Sequence, residues 1–458
     1  MNVQIPEKVL DIINKFEKKN FEIYIVGGAV RDILMNKPTY DWDFTTNAIP
    51  EEILKIFPDA YYDNIFGTVG IPAEIEDDRP YEITTFRTEY GYSDTRRPDK
   101  IKWGKSIEED LKRRDFTINA MAFQRNEEKP LTSTSPFTLI DLYDGQKDLK
   151  NKLIRAVGDA NERFSEDALR MMRAVRIAAE LGFDIEEKTL DAVRTNAPLI
   201  NKIAKERVRD ELFKILKSPY PYEGMVIFKN VGLMQEVLPE MEKTFGVEQK
   251  SPGRHHIYDV GTHSLNSLKF CKSEDPITRL ATFIHDVGKP LTYKKNSDGL
   301  ITFYNHEMVS AKIAERIAER LKLSNKDKDK FIKLVRWHQF SVDENQTDSA
   351  VRRFIRNVGI ENIAEMLSLR TGDRLGGGAR ETSWRLEEFK KRLIEVQKQP
   401  FTVHDLKITG NDVMKILDIK PGPRIGEILN ELFEEVVEKK IENDKKILVK
   451  RVKQLAIK

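Results

Sequence analysis

The sequence predicts an α+β protein: a head built on a mixed sheet with helices, followed by a long all-α neck and body. Three observations predict it. Up to about residue 150, short β-branched runs alternate with turns; "FEIYIVGG", "YYDNIFGTVGIPAEI" and "RPYEITTFRTEY" read as strands. Beyond 150 nearly every segment has helical period, as in "MVSAKIAERIAERLKL" and "IGEILNELFEEVVEKKI". The 458 residues exceed one compact core. Two breaks divide the helical part, the Pro/Gly/His stretch "QKSPGRHHIYDVG" and the glycine run of "DRLGGGARETS", read as a loop. The expected domains are a head over 1–150, a helical neck and body over 151–250, a further helical domain over 251–380 and a C-terminal helical tail over 381–458.

The first element is helical: "MNVQIPEKVLDIINKFEKKN" places Val9, Leu10, Ile12, Ile13 and Phe16 on one face. It lacks the apolar block and cleavage site of a signal peptide, and no apolar run is long enough for a bilayer. The single cysteine, Cys271, rules out an internal disulfide and fits a reducing compartment. A cytoplasmic protein without membrane contact is expected. Net charge is only +2, so any nucleic-acid site must be a local patch. The charged run at Asn325–Lys330 reads as a solvated helix start.

In "IVGGAVRDILMNKPTYDWDF", a strand ends in Gly27-Gly28 and a helix follows. Glycine lets the backbone approach a ligand, and the helix start offers free N–H groups to phosphate. Arg31 adds a charge-assisted contact. Read as a strand, "DWDF" turns Asp41 and Asp43 to one face. Two adjacent carboxylates repel, and a hard cation such as Mg²⁺, shared with substrate phosphates, removes the conflict. Glu82 in "YEITTFR", on an expected neighbouring strand, is either a third catalytic carboxylate or an ordinary exposed glutamate.

These motifs are followed in order by "RRDFTINAMAF", "DLYDGQKDL" and "RFSEDALRMMRAVRIAAELGF". Together they resemble the class II tRNA nucleotidyltransferase and bacterial poly(A) polymerase superfamily, the last motif being closest to CCA-adding enzymes of the Gram-positive kind. The resemblance covers roughly the first half of the chain. It implies template-independent addition of C, C and A to the tRNA 3′ end from CTP and ATP. Pyrophosphate is released, with Mg²⁺ at Asp41 and Asp43.

Arg113, Arg114 and Asp115 precede an apolar stretch expected to be helical. Adjacent arginines suit a triphosphate or ribose site, and the resemblance favours Arg114 as the nucleotide contact, with Asp115 and Asn119 shaping the sugar pocket. The expected helix Glu166–Leu181 is apolar except for a stripe of Asp167, Arg170, Arg173 and Arg176. Arginines in such surroundings are costly unless paired, so the stripe is either salt-bridged structure or a ligand surface. A carboxylate accepts from an exocyclic amine and a guanidinium donates to ring nitrogen or carbonyl oxygen, which matches the Watson–Crick edges of cytosine and adenine; uracil has no amine, and guanine's ring nitrogen on that edge is a donor. In the family this motif is the protein template, with the downstream arginines near the phosphates. The polar stretch Thr88–Trp103, with Arg96, Arg97, Lys100 and Lys102, corresponds to a flexible loop that the family associates with switching from C to A addition.

Six of the seven histidines lie between His255 and His338. His263, the pair His285-Asp286, His306, His338 and Asp373 come from separate helical segments. Imidazoles and carboxylates converging from several helices make a metal site for Mn, Fe, Ni, Co or Mg. The order H…HD…D resembles the HD phosphohydrolase superfamily, which implies metal-dependent hydrolysis of 2′,3′-cyclic or 2′-phosphates; Lys289, four residues after His285 and so about one helical turn along, is placed to meet a substrate phosphate. His255, His256 and His404 carry no motif.

Two other readings stay open at this level. One is a poly(A) polymerase, or an enzyme adding only CC or only A. The other is a tRNA-binding module with silent sites, against which the intact Asp41, Asp43, His285 and Asp286 argue.

Overall fold

The computed structural model describes residues 5–64, 67–73, 80–90, 100–104, 106–126, 136–249, 258–340, 347–396, 403–438 and 440–455. Its contacts divide the chain into two units, Met1–Glu242 and Lys243–Lys458. The fold is α+β, a sheet with helices followed by a mostly helical part whose described strands are two short pairs, one of them Lys294–Lys295 with Ile301–Thr302.

The sheet contains β1 (Ile23–Val26), β2 (Asp43–Thr46), β3 (Tyr61–Asn64), β4 (Thr68–Ile71), β5 (Tyr81–Thr85), β8 (Met121–Arg125) and β9 (Phe137–Asp141), in the order β3-β4-β5-β2-β1-β8-β9. A separate antiparallel hairpin joins β6 (Arg87–Tyr90) to β7 (Lys100–Trp103). Strand alternation makes two cores. On one face Ile23, Ile25, Phe44, Val69, Ile83 and Phe123 meet α1 (Glu7–Glu17), α2 (Gly28–Leu34) and α3 (Pro50–Ile56). On the other, Tyr24, Val26, Phe86 and Ala122 meet Ile107 and Leu111 of α4 (Ile107–Lys112). The expected face of α1 is buried at Val9, Ile12, Ile13 and Phe16.

Several local expectations change. "YYDNIFGTVGIPAEI" contains two antiparallel strands, β3 and β4, because Gly67 adopts φ +87° between them. The stretch after Asp115 is not a helix. A single 3₁₀ turn at Thr117–Asn119 leads into β8, where "MAFQR" pairs with β9 and its first part with β1. Pairing on both sides overrides the helical propensity of Ala and Met. Of the polar loop, residues 91–99, including Arg96 and Arg97, lie outside the described residues, as do His255 and His256.

The first unit continues through α5 (Gly145–Lys150), α6 (Ala160–Glu166), α7 (Leu169–Leu181), α8 (Glu187–Asn196), α9 (Lys205–Lys217), α10 (Pro221–Asn230), α11 (Leu233–Val237) and α12 (Pro239–Glu242). The helix expected over Glu166–Leu181 is two helices. Asp167 has extended backbone, and its Oδ1 accepts the Leu169 amide at 3.0 Å, capping α7. Two short strands, Leu153–Ile154 and Asp184–Ile185, pair in parallel within this otherwise helical part.

The second unit comprises α13 (Val260–Lys269), α14 (Pro276–Ile284), α15 (Lys289–Thr292), α16 (His306–Arg320), α17 (Asn325–Trp337), α18 (Asp348–Val358), α19 (Ile363–Gly376), α20 (Trp384–Val396), α21 (Gly410–Leu417), α22 (Pro423–Val437) and α23 (Lys445–Leu455). The last three enclose their own core around Val413, Ile428, Leu432, Leu448 and Val452. Gly376, expected in a loop, is the last residue of α19. The backbone there must be bare, since a Cβ on Gly372 or Gly376 would lie about 2.5 Å from atoms of Ser267 on α13. Among the described residues no helix is long and apolar enough to cross a membrane.

Candidate nucleotide site and metal cluster

The head site grows from the end of β1. Val26 pairs with Asp43, and Asp43 pairs with Glu82 in the parallel β2–β5 ladder. Asp41 lies just ahead of β2 rather than inside it. The Trp42 carbonyl still accepts the Glu82 amide at 3.3 Å, and its indole is in the core. Alternation about that buried ring directs the flanking carboxylates away from the core. Gly27, with φ +73°, comes next after Val26; a Cβ there would lie 3.2 Å from Arg114 Nη1 and 3.3 Å from Asp43 Oδ2. The glycine therefore lets a guanidinium and a carboxylate share one small space.

A set of bonds runs from Arg31 on α2 to α7. Arg31 Nη1 donates to Asn119 Oδ1 at 3.0 Å, and Asn119 Nδ2 donates to Asp115 Oδ1 at 3.5 Å. Asp115 Oδ2 meets Arg173 Nη2 at 2.6 Å. Arg170 Nη2 donates to the Arg113 carbonyl at 3.0 Å, and Arg170 Nη1 meets Glu166 at 2.7 Å. Asp167 lies 3.6 Å from Arg207 of α9. Thus Gly28, Arg31, Arg113, Arg114, Asp115, Asn119, Arg170 and Arg173 belong to one neighbourhood, with Asp167 at the helix break beside it. Arg176 pairs instead with Glu180 and Glu211.

The sequence gives no motif signal for Asp110, one acid in the run "EED". It is fully buried, and its carboxylate holds Arg113 at 2.5 Å and Arg114 at 3.2 Å. Burial pushes the carboxyl up, but the two guanidiniums outweigh it and hold it below the ordinary value. For Asp115, too, burial raises the carboxyl, but Arg173 and Arg170 prevail and lower it. Both aspartates are anions that fix arginines.

Do the head carboxylates fit a hard cation? Asp41, Asp43 and Glu82 are oxygen donors, as Mg²⁺ requires. They do not converge on one point, however: among the described residues, sets of three ligand atoms within 4.8 Å of one another form only in the His–Asp cluster of the second unit. Glu82 is beside Asp43 in register but exposed. A carboxylate pair completed by substrate phosphates is the arrangement that fits.

The second cluster is tighter. His263, His285 and Asp286 form one ligand set, and Asp286, His306 and His338 another. All five are buried. His263 is on α13, His285 and Asp286 follow directly on α14, His306 starts α16 and His338 follows α17. Asp373 on α19 joins them, 3.2 Å from His263 Nε2. The glycine contacts of α19 on α13 give it that reach. Gly288 does the same beside α16, where a Cβ would lie 2.6 Å from the His306 carbonyl.

Three imidazoles are oriented alike. Nδ1 of His285, His306 and His338 faces the carbonyl of Thr282, Phe303 and Val335 at 2.7, 2.8 and 2.7 Å. Donation there turns each Nε2 toward the cluster, the orientation in which a histidine can ligate a metal once that nitrogen is unprotonated. His285 Nε2 is buried without a hydrogen-bond partner. Burial disfavours a charged His285, but Asp286 and Asp373 prevail and lift it to about 10. Burial and the neighbouring His285 push His338 down to about 3. Imidazole nitrogens and carboxylate oxygens from several helices converge here, a donor set that suits a divalent cation. Lys289 Nζ lies 2.6 Å from Asp286 and donates to buried Gln249 at 2.8 Å.

Residues 23–155 match the poly A polymerase head domain, 182–245 the probable RNA- and SrmB-binding site of polymerase A, and 296–452 the putative domain 2 of tRNA nucleotidyltransferase. The chain is 34% identical to the CCA-adding enzyme of Ligilactobacillus salivarius over 98% of this chain and 96% of that protein. It is 33% identical to that of Enterococcus faecalis over 97% and 94%. The crystal structure of the Bacillus stearothermophilus CCA-adding enzyme in complex with CTP is similar at 27% identity and TM-score 0.70, covering 99% of this chain and 98% of that one. The Thermotoga maritima CCA-adding enzyme complexed with tRNA shares the fold, at 20% identity and TM-score 0.60 over 98% and 96%. With full-length relatives above 30% identity, this chain belongs to the family of CCA-adding enzymes, nucleotidyltransferases of the class II kind.

Proposed function

We propose that the first unit adds C, C and A to the 3′ end of tRNA, taking CTP and ATP in turn and releasing pyrophosphate. The observation that carries this is the run of side chains from Gly27, whose bare Cα leaves Asp43 and Arg114 side by side, through the bond of Arg114 to the Asn119 carbonyl and that of Asn119 to Asp115, to Arg173 on α7. It joins the carboxylate edge of the sheet to the helix break that bears Asp167 and Arg170.

The residues divide the work by chemistry. Asp41 and Asp43 would hold Mg²⁺, with Glu82 close by, and such a cation would supply Lewis-acid stabilisation of the attacking hydroxyl and the leaving pyrophosphate. Gly28 and Arg31 meet the triphosphate with Arg113 and Arg114, which Asp110 orients. Asn119 and Asp115 border the sugar. Asp167 accepts from the amine of cytosine or adenine, having acceptor capacity beyond its bond to the Leu169 amide. Arg170 is anchored through Glu166 and the Arg113 carbonyl and donates to the ring edge with its remaining N–H groups. Arg173 lies along the helix toward the phosphates, whereas the charge of Arg176, the next arginine of the stripe, is matched by Glu180 and Glu211. The attacking oxygen bonds to the α-phosphorus as the bond to pyrophosphate breaks.

Transcripts ending before CCA, after C and after CC, each incubated with CTP, ATP or both, test this reading. A poly(A) polymerase extends all three with ATP alone, and CC-only or A-only enzymes stop early or fail to start.

The His–Asp cluster favours a second activity, a metal-dependent phosphohydrolase of the HD kind acting on 2′,3′-cyclic or 2′-phosphates of RNA ends. His263, His285, Asp286, His306, His338 and Asp373 would hold a divalent transition metal or Mg²⁺, which lowers the pKa of a bound water. Lys289 steadies the phosphate. Water adds its oxygen to phosphorus, one ribose ester bond breaks, and the leaving oxygen takes the proton. Hydrolysis of 2′,3′-cyclic AMP by the metal-loaded chain tests it.

A further inference from the structure

A cavity of about 560 Å³ opens onto the His–Asp cluster. Its floor includes Asp286, His306, His338 and Asp373, and two cations, Lys289 and Arg370, stand in its wall. Both are held against ligand carboxylates, Lys289 on Asp286 at 2.6 Å and Arg370 on Asp373 at 2.8 Å. A phosphate brought to the cluster meets them there. The cavity is also lined by Tyr304, an aromatic side chain that is 76% exposed.

Tyr304 is exposed on a built turn. Its neighbour Phe303 is tied down by the Tyr293 ring at 5.8 Å and by the Lys289 ammonium at 5.3 Å. The Phe303 carbonyl faces both the amide and Nδ1 of His306, at 3.2 and 2.8 Å. Asn305 closes the turn with φ +58°, a conformation that asparagine tolerates well. The segment is therefore locked at both sides of Tyr304, with a cluster histidine two residues on. The result is a flat aromatic face presented to water at the rim of a polar cavity. Such a face binds nucleobases by stacking and tolerates any base, because every base has a π-face.

We propose that Tyr304 is the base platform of this cavity, so that its ligand is a nucleotide or an RNA terminus rather than a small base-free phosphate ester. The inference rests on the phosphohydrolase reading of the same site and adds a specificity-determining residue to it. Asn305 and the cations recognise nothing about the base; discrimination between base-bearing and base-free esters falls to Tyr304.

The test uses the full chain with Mn²⁺ and saturating CTP, so that the head site is occupied. Adenosine 2′-phosphate and glycerol 2-phosphate are titrated by calorimetry and assayed for phosphate release, with wild type, Tyr304→Ala and Tyr304→Phe. Tyr304→Ala should raise Kd and KM for adenosine 2′-phosphate by about fivefold or more, leave kcat and the glycerol ester unchanged, and be rescued by Tyr304→Phe. Equal behaviour of wild type and Tyr304→Ala toward the nucleotide would overturn the inference, as would equal losses for both ligands. Nucleotide binding that depends on Tyr304 without any phosphate release would refute the hydrolase reading and leave the base platform standing. Wild-type protein that binds neither ligand would refute both.

Discussion

Asp115 Oδ2 and Arg173 Nη2 meet at 2.6 Å, joining the segment after α4 to the middle of α7. The carboxylate is buried while the arginine side chain retains 41% exposure, so solvent screens part of the pair. Asp115→Ala should destabilise the fold by about 1–3 kcal/mol and abolish nucleotide addition. Arg173→Ala in the same background should add little, since the two share one interaction. Urea denaturation of the two single mutants and the double mutant measures this; additive losses would show the pair to be energetically independent.

The lowered carboxyls of Asp110 and Asp115 set a pH dependence. A group with a depressed folded value contributes stability that is fully present above its unfolded value, about 3.9 for aspartate, and lost as pH falls toward the folded value. Unfolding free energy should therefore decline on acidification through this range. In Asp110→Asn the decline should be shallower, with a lower plateau at neutral pH. Denaturation midpoints across pH provide the measurement, and an unchanged slope would mean that Arg113 and Arg114 do not depress Asp110.

Asp41→Ala and Asp43→Ala should each remove nucleotide addition while leaving tRNA affinity nearly intact. In the proposed mechanism their carboxylates, at and just ahead of the start of β2, serve phosphate chemistry rather than RNA docking. Primer extension at saturating Mg²⁺ together with filter binding separates the two effects. Near-normal extension by either variant would contradict the role.

Asp167→Ala or Arg170→Ala should relax nucleotide choice toward UTP and GTP by the loss of a base contact, about 1–3 kcal/mol of discrimination. Arg176→Ala should leave choice unchanged, because its partners are Glu180 and Glu211. Single-nucleotide incorporation rates decide it: equal losses for all four nucleotides in the Asp167 and Arg170 variants would make the stripe structural.

The combined His285→Ala/Asp286→Ala variant should lose hydrolysis of 2′,3′-cyclic AMP and its bound metal, while CCA addition stays normal. Metal content and the two activities, measured on one preparation, check this. Retained hydrolysis would place that activity elsewhere.

Much of the site is legible in the residues alone. "DWDF" announces its carboxylate pair, and the H…HD…D order announces a cluster that five helices assemble, because histidine and aspartate carry their chemistry in their identity. What escapes the sequence depends on tertiary pairing. The break at Asp167-Ala168 has no Gly or Pro to mark it; it is held by the Asp167 cap and by Arg207, which is 40 residues further along the chain. The segment "AMAF" favours helix locally, yet β1 and β9 draw it into the sheet. Asp110 matters because it is fully buried beneath two arginines, and burial of one acid in an acidic run is invisible to pattern. Tyr304 lies outside any period and matters only through the turn that presents it.

In the proposed mechanism protein side chains, not a nucleic-acid template, choose the nucleotides and count them. Sequencing the 3′ ends produced from a tRNA transcript lacking CCA, with all four nucleoside triphosphates present together, reads out both the choice and the count. The expected ends finish in CCA and stop, without U or G. A run of A residues, or ends containing U or G in proportion to their supply, would be incompatible with selection by Asp167 and Arg170.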